Sequence, residues 1–190
     1  MFIQTEQTPN PQTLKFLPGR VVMEEGTSFF QNESESKNSP LGKRLFSVDG
    51  VKGVFFGSDF ITITKKEDVD WQILKPMILG SIMDHYNSGE KVIIENSTDK
   101  NSNLKNLTDD TNDTEVVKQI KEILDTRVRP AVALDGGDIV YQNFEDGIVY
   151  LHMQGACSGC PSSTATLKAG IENLLKHHIP EVKEVRPIDV

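Results

Sequence analysis

The sequence predicts an α+β protein of two small domains, each a small β-sheet packed by helices, joined by a polar flexible linker. Three observations carry this reading. Short β-rich apolar runs alternate with segments of helical apolar spacing in both halves of the chain. The stretch from Asn96 to Asp113 reads NSTDKNSNLKNLTDDTND, with Leu104 and Leu107 its only large apolar residues. Such a stretch cannot bury enough apolar area to offset the entropy of ordering it. A hydrophobic content of 37% and a charged content of 25% are those of a soluble globular chain. The expected division is therefore a domain over 1–92, a linker over 93–113 and a second domain over 114–190.

In the first half, Pro9, Pro11 and the pair Pro18-Gly19 punctuate short extended segments, one of them Thr13 to Leu17. The polar insertion QNESESKNSP then leads into a short helix near Leu41 to Phe46. VKGVFFG and DFITITK are two β-rich runs joined at Gly57-Ser58, which predicts a hairpin. After Asp70, residues Trp71, Leu74, Ile78, Ile82 and Tyr86 recur at helical spacing, with a stop expected near Gly89.

In the second half, Thr114 is the expected N-cap of a helix whose apolar face is Val116, Val117, Ile120, Ile123 and Leu124. Arg129-Pro130 is expected to interrupt it. The turn-rich AVALDGGD precedes two strands, DIVYQNF and GIVYLHMQG, linked by Glu145-Asp146-Gly147. A second amphipathic helix carries Leu167, Ile171, Leu174, Leu175 and His178, with Ser162 or Ser163 as its expected cap. EVKEVRPI is the last strand, giving α–β–β–α–β.

Composition narrows the function classes. A formal charge of −8, with no dense Lys/Arg stripe, argues against a nucleic-acid partner. No apolar run approaches the roughly 18 to 20 residues that span a bilayer, so no membrane partner is expected. The opening MFIQTEQTPNP lacks the features of a secretory signal or a transit peptide. The expectation is a reducing interior, the bacterial cytoplasm, with the mitochondrial matrix as the alternative where a transit peptide has been removed.

The chain has only two cysteines, Cys157 and Cys160, in the string GACSGCPSS. In a reducing compartment this spacing points to metal binding or redox chemistry before a structural bridge. A C-x-x-C turn aims two sulfurs at one centre, and the small residues Gly155, Ala156, Ser158 and Gly159 let the backbone come close. The N–H groups of the following helix are expected to favour thiolate over thiol. A soft thiolate pair selects zinc, copper(I) or iron–sulfur. A tetrahedral zinc or a cubane normally takes four protein ligands, and one chain has two thiols. Two chains donating two thiolates each across a twofold axis is the simplest completion. His152 is read as a strand-face residue, with a third-ligand role as its alternative. His177 and His178 are expected to serve the dipole at the helix C-terminus, and His85 to be structural. Two small buried hydrophobes, or a zinc-binding dimer on the same pair, are alternatives, and a thiol–disulfide oxidoreductase is the rival reading. It is weakened by a proline after the second cysteine, by the late position of the pair behind a hairpin, and by the want of a bulky-residue–proline loop. Asp135, Gly136, Gly137 and Asp138 are read as turn chemistry, against a role in positioning the cysteine loop.

RPAVALDGGDIVY and LHMQGACSGCPSSTATLKAGIENLL resemble the NifU-type C-terminal domain, and TPNPQTLKF and SVDGVKGVFFGSDFITITK resemble the N-terminal domain of Nfu proteins. The resemblance covers nearly the whole chain apart from the linker, with two domain signatures in the expected order. It implies a non-enzymatic scaffold or carrier of a [4Fe–4S] cluster bridged between two subunits. Cys157 and Cys160 fall on the family's cluster cysteines. The implied partners are a second copy of the chain, upstream assembly factors, and the apo iron–sulfur proteins that receive the cluster. The cysteine-bearing scaffold and ferredoxin-like segments of the original NifU have no counterpart here, which favours carriage over assembly.

Overall fold

The computed structural model describes residues 2–94, 114–159 and 161–188. The chain divides into two compact units, Met1–Leu104 and Lys105–Val190. Each is a small sheet with helices, and the protein is α+β. The expected linker lies outside the described residues from residue 95 onward.

The first unit is a five-stranded antiparallel sheet in the order β1-β2-β5-β4-β3. Its strands are β1 (Gln4–Gln7), β2 (Thr13–Leu17), β3 (Ser28–Phe30), β4 (Val51–Phe56) and β5 (Ile61–Lys65). The expected hairpin is β4–β5, closed where the Gly57 N–H donates to the Phe60 carbonyl at 2.9 Å. Helix α1 (Pro40–Phe46) starts with the Ser39 hydroxyl accepting from the Gly42 N–H at 2.9 Å. Helix α2 (Trp71–Ser88) starts with the Asp70 carboxylate accepting from the Gln72 N–H at 2.8 Å and stops at Gly89, whose φ is 72°. Leu74, Ile78 and Ile82 of α2 are fully buried in one core with Phe16, Leu41, Leu45, Val54, Phe56, Ile61 and Ile63. Each such side chain contributes about 1.5–3 kcal/mol relative to exposure. After α2, Val92 and Ile93 pack on this core, and the Ile94 N–H donates to the Asn38 carbonyl at 2.7 Å.

Three elements of this unit go beyond the sequence reading. The sheet edges β1 and β3 are one polar run and one very short run, formed by backbone pairing to β2 and β4 and not by an alternating pattern of their own. The polar insertion carries a 3₁₀ turn over Glu33–Asn38, capped by the Asn32 side chain.

The second unit has a three-stranded sheet in the order β6-β7-β8, where β6 (Gly137–Glu145), β7 (Ile148–Gly155) and β8 (Glu184–Ile188) carry the register. β6 and β7 are antiparallel, while β8 runs parallel to β7. A parallel neighbour requires a crossover, which helix α5 (Pro161–His178) supplies. The hairpin turn is Asp146-Gly147, one residue tighter than expected. Both residues lie in the left-handed region (φ 52° and 82°), as a two-residue turn matched to the strand twist requires. Ile120, Leu124, Val128 and Val132 cover Ile139, Val149, Leu151 and Met153, with Ile171 and Leu175 of α5 in the same core.

Two expectations are corrected here. Arg129-Pro130 does not interrupt the helical path. Helix α3 (Glu115–Ile123) widens into a π turn over Leu124–Val128 and resumes as α4 (Arg129–Leu134). The Arg129 N–H donates back to the Leu124 carbonyl, so the helix restarts there. Pro130 then occupies a first turn, where its missing N–H costs nothing. Helix α5 begins at Pro161, ahead of both serines, so Ser162 and Ser163 lie inside its first turn and neither is the cap.

Candidate metal centre

β7 delivers the chain to the cysteine loop at its C-terminal end, and α5 takes it away. Strand alternation sets what faces inward. Leu151 and Met153 are buried, whereas His152 points to the other face, with Gln154 Nε2 lying 3.3 Å from its Nδ1. The loop itself is tied down by backbone. The Ala156 N–H donates to the Gly136 carbonyl at 3.1 Å, and the Ser158 N–H to the Gly155 carbonyl at 3.1 Å. The Cys157 N–H donates to the Gln154 carbonyl at 3.3 Å, and the Thr164 hydroxyl of α5 donates to the Cys157 carbonyl at 3.3 Å.

Cys157 is a free thiol with only 5% of its surface exposed, and it belongs to the core of its unit. Gly137 lies directly beneath it. A Cβ added there would stand 2.5 Å from Sγ and 3.0 Å from the Cys157 nitrogen. Burial, followed by the charges of Asp135 and Asp138, pushes the thiol up to about 12. The expected preference for thiolate is therefore reversed at Cys157, since desolvation and two carboxylates oppose the charge. Cys160 lies outside the described residues.

The turn Asp135-Gly136 and the start of β6 form the other wall. Asp138 is 4% exposed at its side chain and is gripped by Arg129, with Nε donating to Oδ1 at 2.9 Å and Nη2 to Oδ2 at 2.8 Å. The same guanidinium donates from Nη1 to Asp125 at 3.1 Å. These neighbours raise the Arg129 pKa, the hydrogen bond to Asp138 most of all. The sequence reading missed this pair because it expected the chain to break at Arg129. The signal was there in RPAVALDGGD, an arginine one short helix ahead of an aspartate.

The remaining histidines are not brought to the loop. His177 and His178 sit in the last turn of α5 with their rings 5.1 Å apart, where a C-terminal dipole role was expected. His85 is fully buried in α2 of the other unit. Among the described residues, which leave out Cys160, no group of three or more His, Cys, Asp or Glu side chains could hold a metal ion. Among those residues, too, no helix is long and apolar enough to cross a membrane.

Residues 3–89 match the family model described as scaffold protein Nfu/NifU N terminal, and residues 120–186 match the NifU-like domain. The chain belongs to the Nfu/NifU scaffold family. It is 54% identical over 97% of its length to NifU-like protein 4, mitochondrial, of Arabidopsis thaliana, covering 65% of that protein. It is 50% identical over 99% of its length to the human NFU1 iron-sulfur cluster scaffold homolog, mitochondrial, covering 72% of that protein. The solution structure of a NifU-like protein from Saccharomyces cerevisiae is similar over 50% of this chain and 87% of that one, at 30% identity and a TM-score of 0.46. The chain thus spans about two thirds of the length of the curated relatives it matches.

The names of these relatives overturn one expectation. The plant, fly and human proteins are all mitochondrial, which conflicts with a bacterial cytoplasm. Composition pointed to a reducing interior, and that property does not distinguish the two compartments.

Proposed function

We propose that this chain is a non-enzymatic carrier that holds an iron–sulfur cluster as cargo between two copies of itself and passes it to apo-proteins. Cys157 and Cys160 of each copy supply the four thiolates of a [4Fe–4S] cluster. The observation that carries this reading is the ligand count: two thiols per chain, three positions apart, on one loop of the NifU-like domain. Upstream assembly factors load the cluster, and the mitochondrial setting follows the relatives. The working division remains 1–92, 93–113 and 114–190, with both ligands in the last.

The chain's own residues define what loading involves. Cys157 is covered and protonated, so its sulfur must come out of the core and give up a proton as it binds metal. Gly155 and Gly159 flank it in left-handed conformations (φ 61° and 78°) and give the loop its freedom to do so.

Anaerobic reconstitution with iron and sulfide tests the proposal. The expected result is broad absorption near roughly 400 nm, about four irons per dimer, and a dimer by gel filtration. A colourless protein that takes up one zinc per pair of chains and no iron would overturn it.

A further inference from the structure

We infer that Arg129 is the positioning residue of the cysteine loop, acting through its two-pronged hold on Asp138; the inference rests on the proposed function for its purpose but not for its test. The chain of contacts is short. Arg129 opens α4 and Asp138 follows the first residue of β6, so the fork closes residues 129–138 into a ring around the Asp135-Gly136 turn. The Asp138 carboxylate is fixed from the other side too, because Oδ1 accepts the Ile139 N–H at 2.8 Å. That turn presents two things to the loop. Its Gly136 carbonyl takes the Ala156 N–H, and the bare Cα of Gly137 is the floor on which the Cys157 sulfur rests. β6 and β7 extend the link, since Gly137 pairs with Gly155 and Asp138 with Gln154. A turn that moves relative to α4 carries that floor with it, and the sulfur must follow.

The fork matters here as well as the charge. Two parallel N–H bonds from a planar guanidinium fix direction and distance together, whereas an ammonium is a point charge with no such plane. Asp125 shares the guanidinium but is 59% exposed at its side chain and lies outside the ring. Its loss removes a surface ion pair and leaves the grip on β6 in place.

The test is the rate at which iodoacetamide alkylates Cys157 in the full-length apo-protein, resolved from Cys160 by peptide mass spectrometry. Arg129→Lys keeps the charge and removes the fork, so a change in rate reports position and not ionisation. The expected result is a Cys157 rate raised about tenfold or more relative to Cys160, the population change that follows from losing one charge-assisted hydrogen bond of the grip. Asp125→Asn should leave the ratio unchanged. A merely structural role would lower the melting temperature of Arg129→Lys and leave the ratio in the folded state unaltered; that outcome, or an equal rise in Asp125→Asn, overturns the inference. Should Arg129→Lys fail to fold, the paired variant Arg129→Gln with Asp138→Asn removes the fork with no change of net charge; because the Asp138 charge also acts on the thiol, its readout is hydrogen exchange at the Ala156 amide, which donates to Gly136, where faster exchange is expected and unchanged exchange overturns the inference. Wild-type protein that takes up no iron would remove the cargo reading and leave the alkylation result standing.

Discussion

Gly137 and Cys157 approach so closely that a methyl group on the glycine would stand 2.5 Å from the sulfur and 2.8 Å from the Gln154 carbonyl oxygen. The backbone at Gly137 is not left-handed, so the constraint is space alone. Gly137→Ala should destabilise the second unit by about 1–3 kcal/mol, the cost of overpacking against atoms that cannot all yield. It should also lower the iron retained per dimer. Urea unfolding and iron analysis would check both, and an unchanged unfolding midpoint would show that the loop gives way freely.

Replacing either cysteine by serine should abolish cluster retention, and at Cys157 it should also cost stability. Cys157 is part of the core, so Cys157→Ser buries a hydroxyl and should cost about 1–3 kcal/mol. The unit should still fold, because Ile120, Leu124, Ile139, Leu151 and Leu175 form its core without any metal. Thermal melts of the two apo-variants, paired with iron content, test this. Complete unfolding of Cys157→Ser would mark the site as structural in the zinc-finger sense.

His85 gives the first unit a dependence on pH. It is fully buried, and neither ring nitrogen has a hydrogen-bond partner among the described residues; the nearest carboxylate oxygen, on Glu90, is 3.9 Å from Nδ1. Burial, then the charge of Arg44, holds its pKa below the ordinary value, with Glu90 opposing. A histidine whose folded pKa is depressed contributes no penalty above its unfolded value. As pH falls below about 6.5, the unfolded chain takes up a proton that the folded unit resists. Stability should therefore drop by at most about 1.4 kcal/mol per pH unit until the folded pKa is reached. Denaturation midpoints between pH 7.5 and about 5 would measure this. His85→Leu should flatten the slope and should not destabilise at neutral pH, since it removes an unpaired buried polar group. An unchanged slope in His85→Leu would assign the dependence to other groups.

The two units should be separable. Each has a core of its own, and both cysteines lie in the second. A fragment of residues 114–190 is expected to dimerise around a cluster and transfer it to an apo-acceptor. Removing the first unit should slow transfer toward particular acceptors, because a tethered recognition domain raises the local concentration of its partner. Transfer rates for the full chain and the fragment, measured with several acceptors, decide the point. Identical rates throughout would leave the first unit without a recognition role, and a fragment unable to load would show that the site is not self-contained.

What could be read from the sequence was what repeats with a period or carries a strong local signal. The stripe Leu74, Ile78, Ile82 placed α2, Asp-Gly placed the β6–β7 hairpin, and the two cysteines placed the loop. Edge strands β1 and β3 were not legible, since a polar run such as Gln4–Gln7 becomes a strand only through its neighbour's backbone. At the site, the loop could be located, but the state of Cys157 could not. Spacing suggested a helix N-terminus acting on the sulfur, whereas desolvation and the carboxylates of Asp135 and Asp138 govern it. Those are long-range packing effects, and no local pattern encodes them. Nor did proline chemistry alone predict the path at Arg129, because a wide turn removed the conflict.

That wide turn absorbs a residue. Each residue of an α-helix advances the chain by about 100°, and the π turn at Leu124–Val128 takes up one residue more than an ordinary turn does. Leu124 and Val128 both remain in the core while Asp125, Thr126 and Arg127 stay in solvent. The helix resumes at Arg129, whose guanidinium holds Asp138. The segment therefore tolerates a change of length that a regular helix does not. Deleting Thr126 or Arg127 should restore regular pitch and leave Arg129 in phase with the strand it holds, whereas a residue lost from regular helix turns everything beyond it about 100° around the axis.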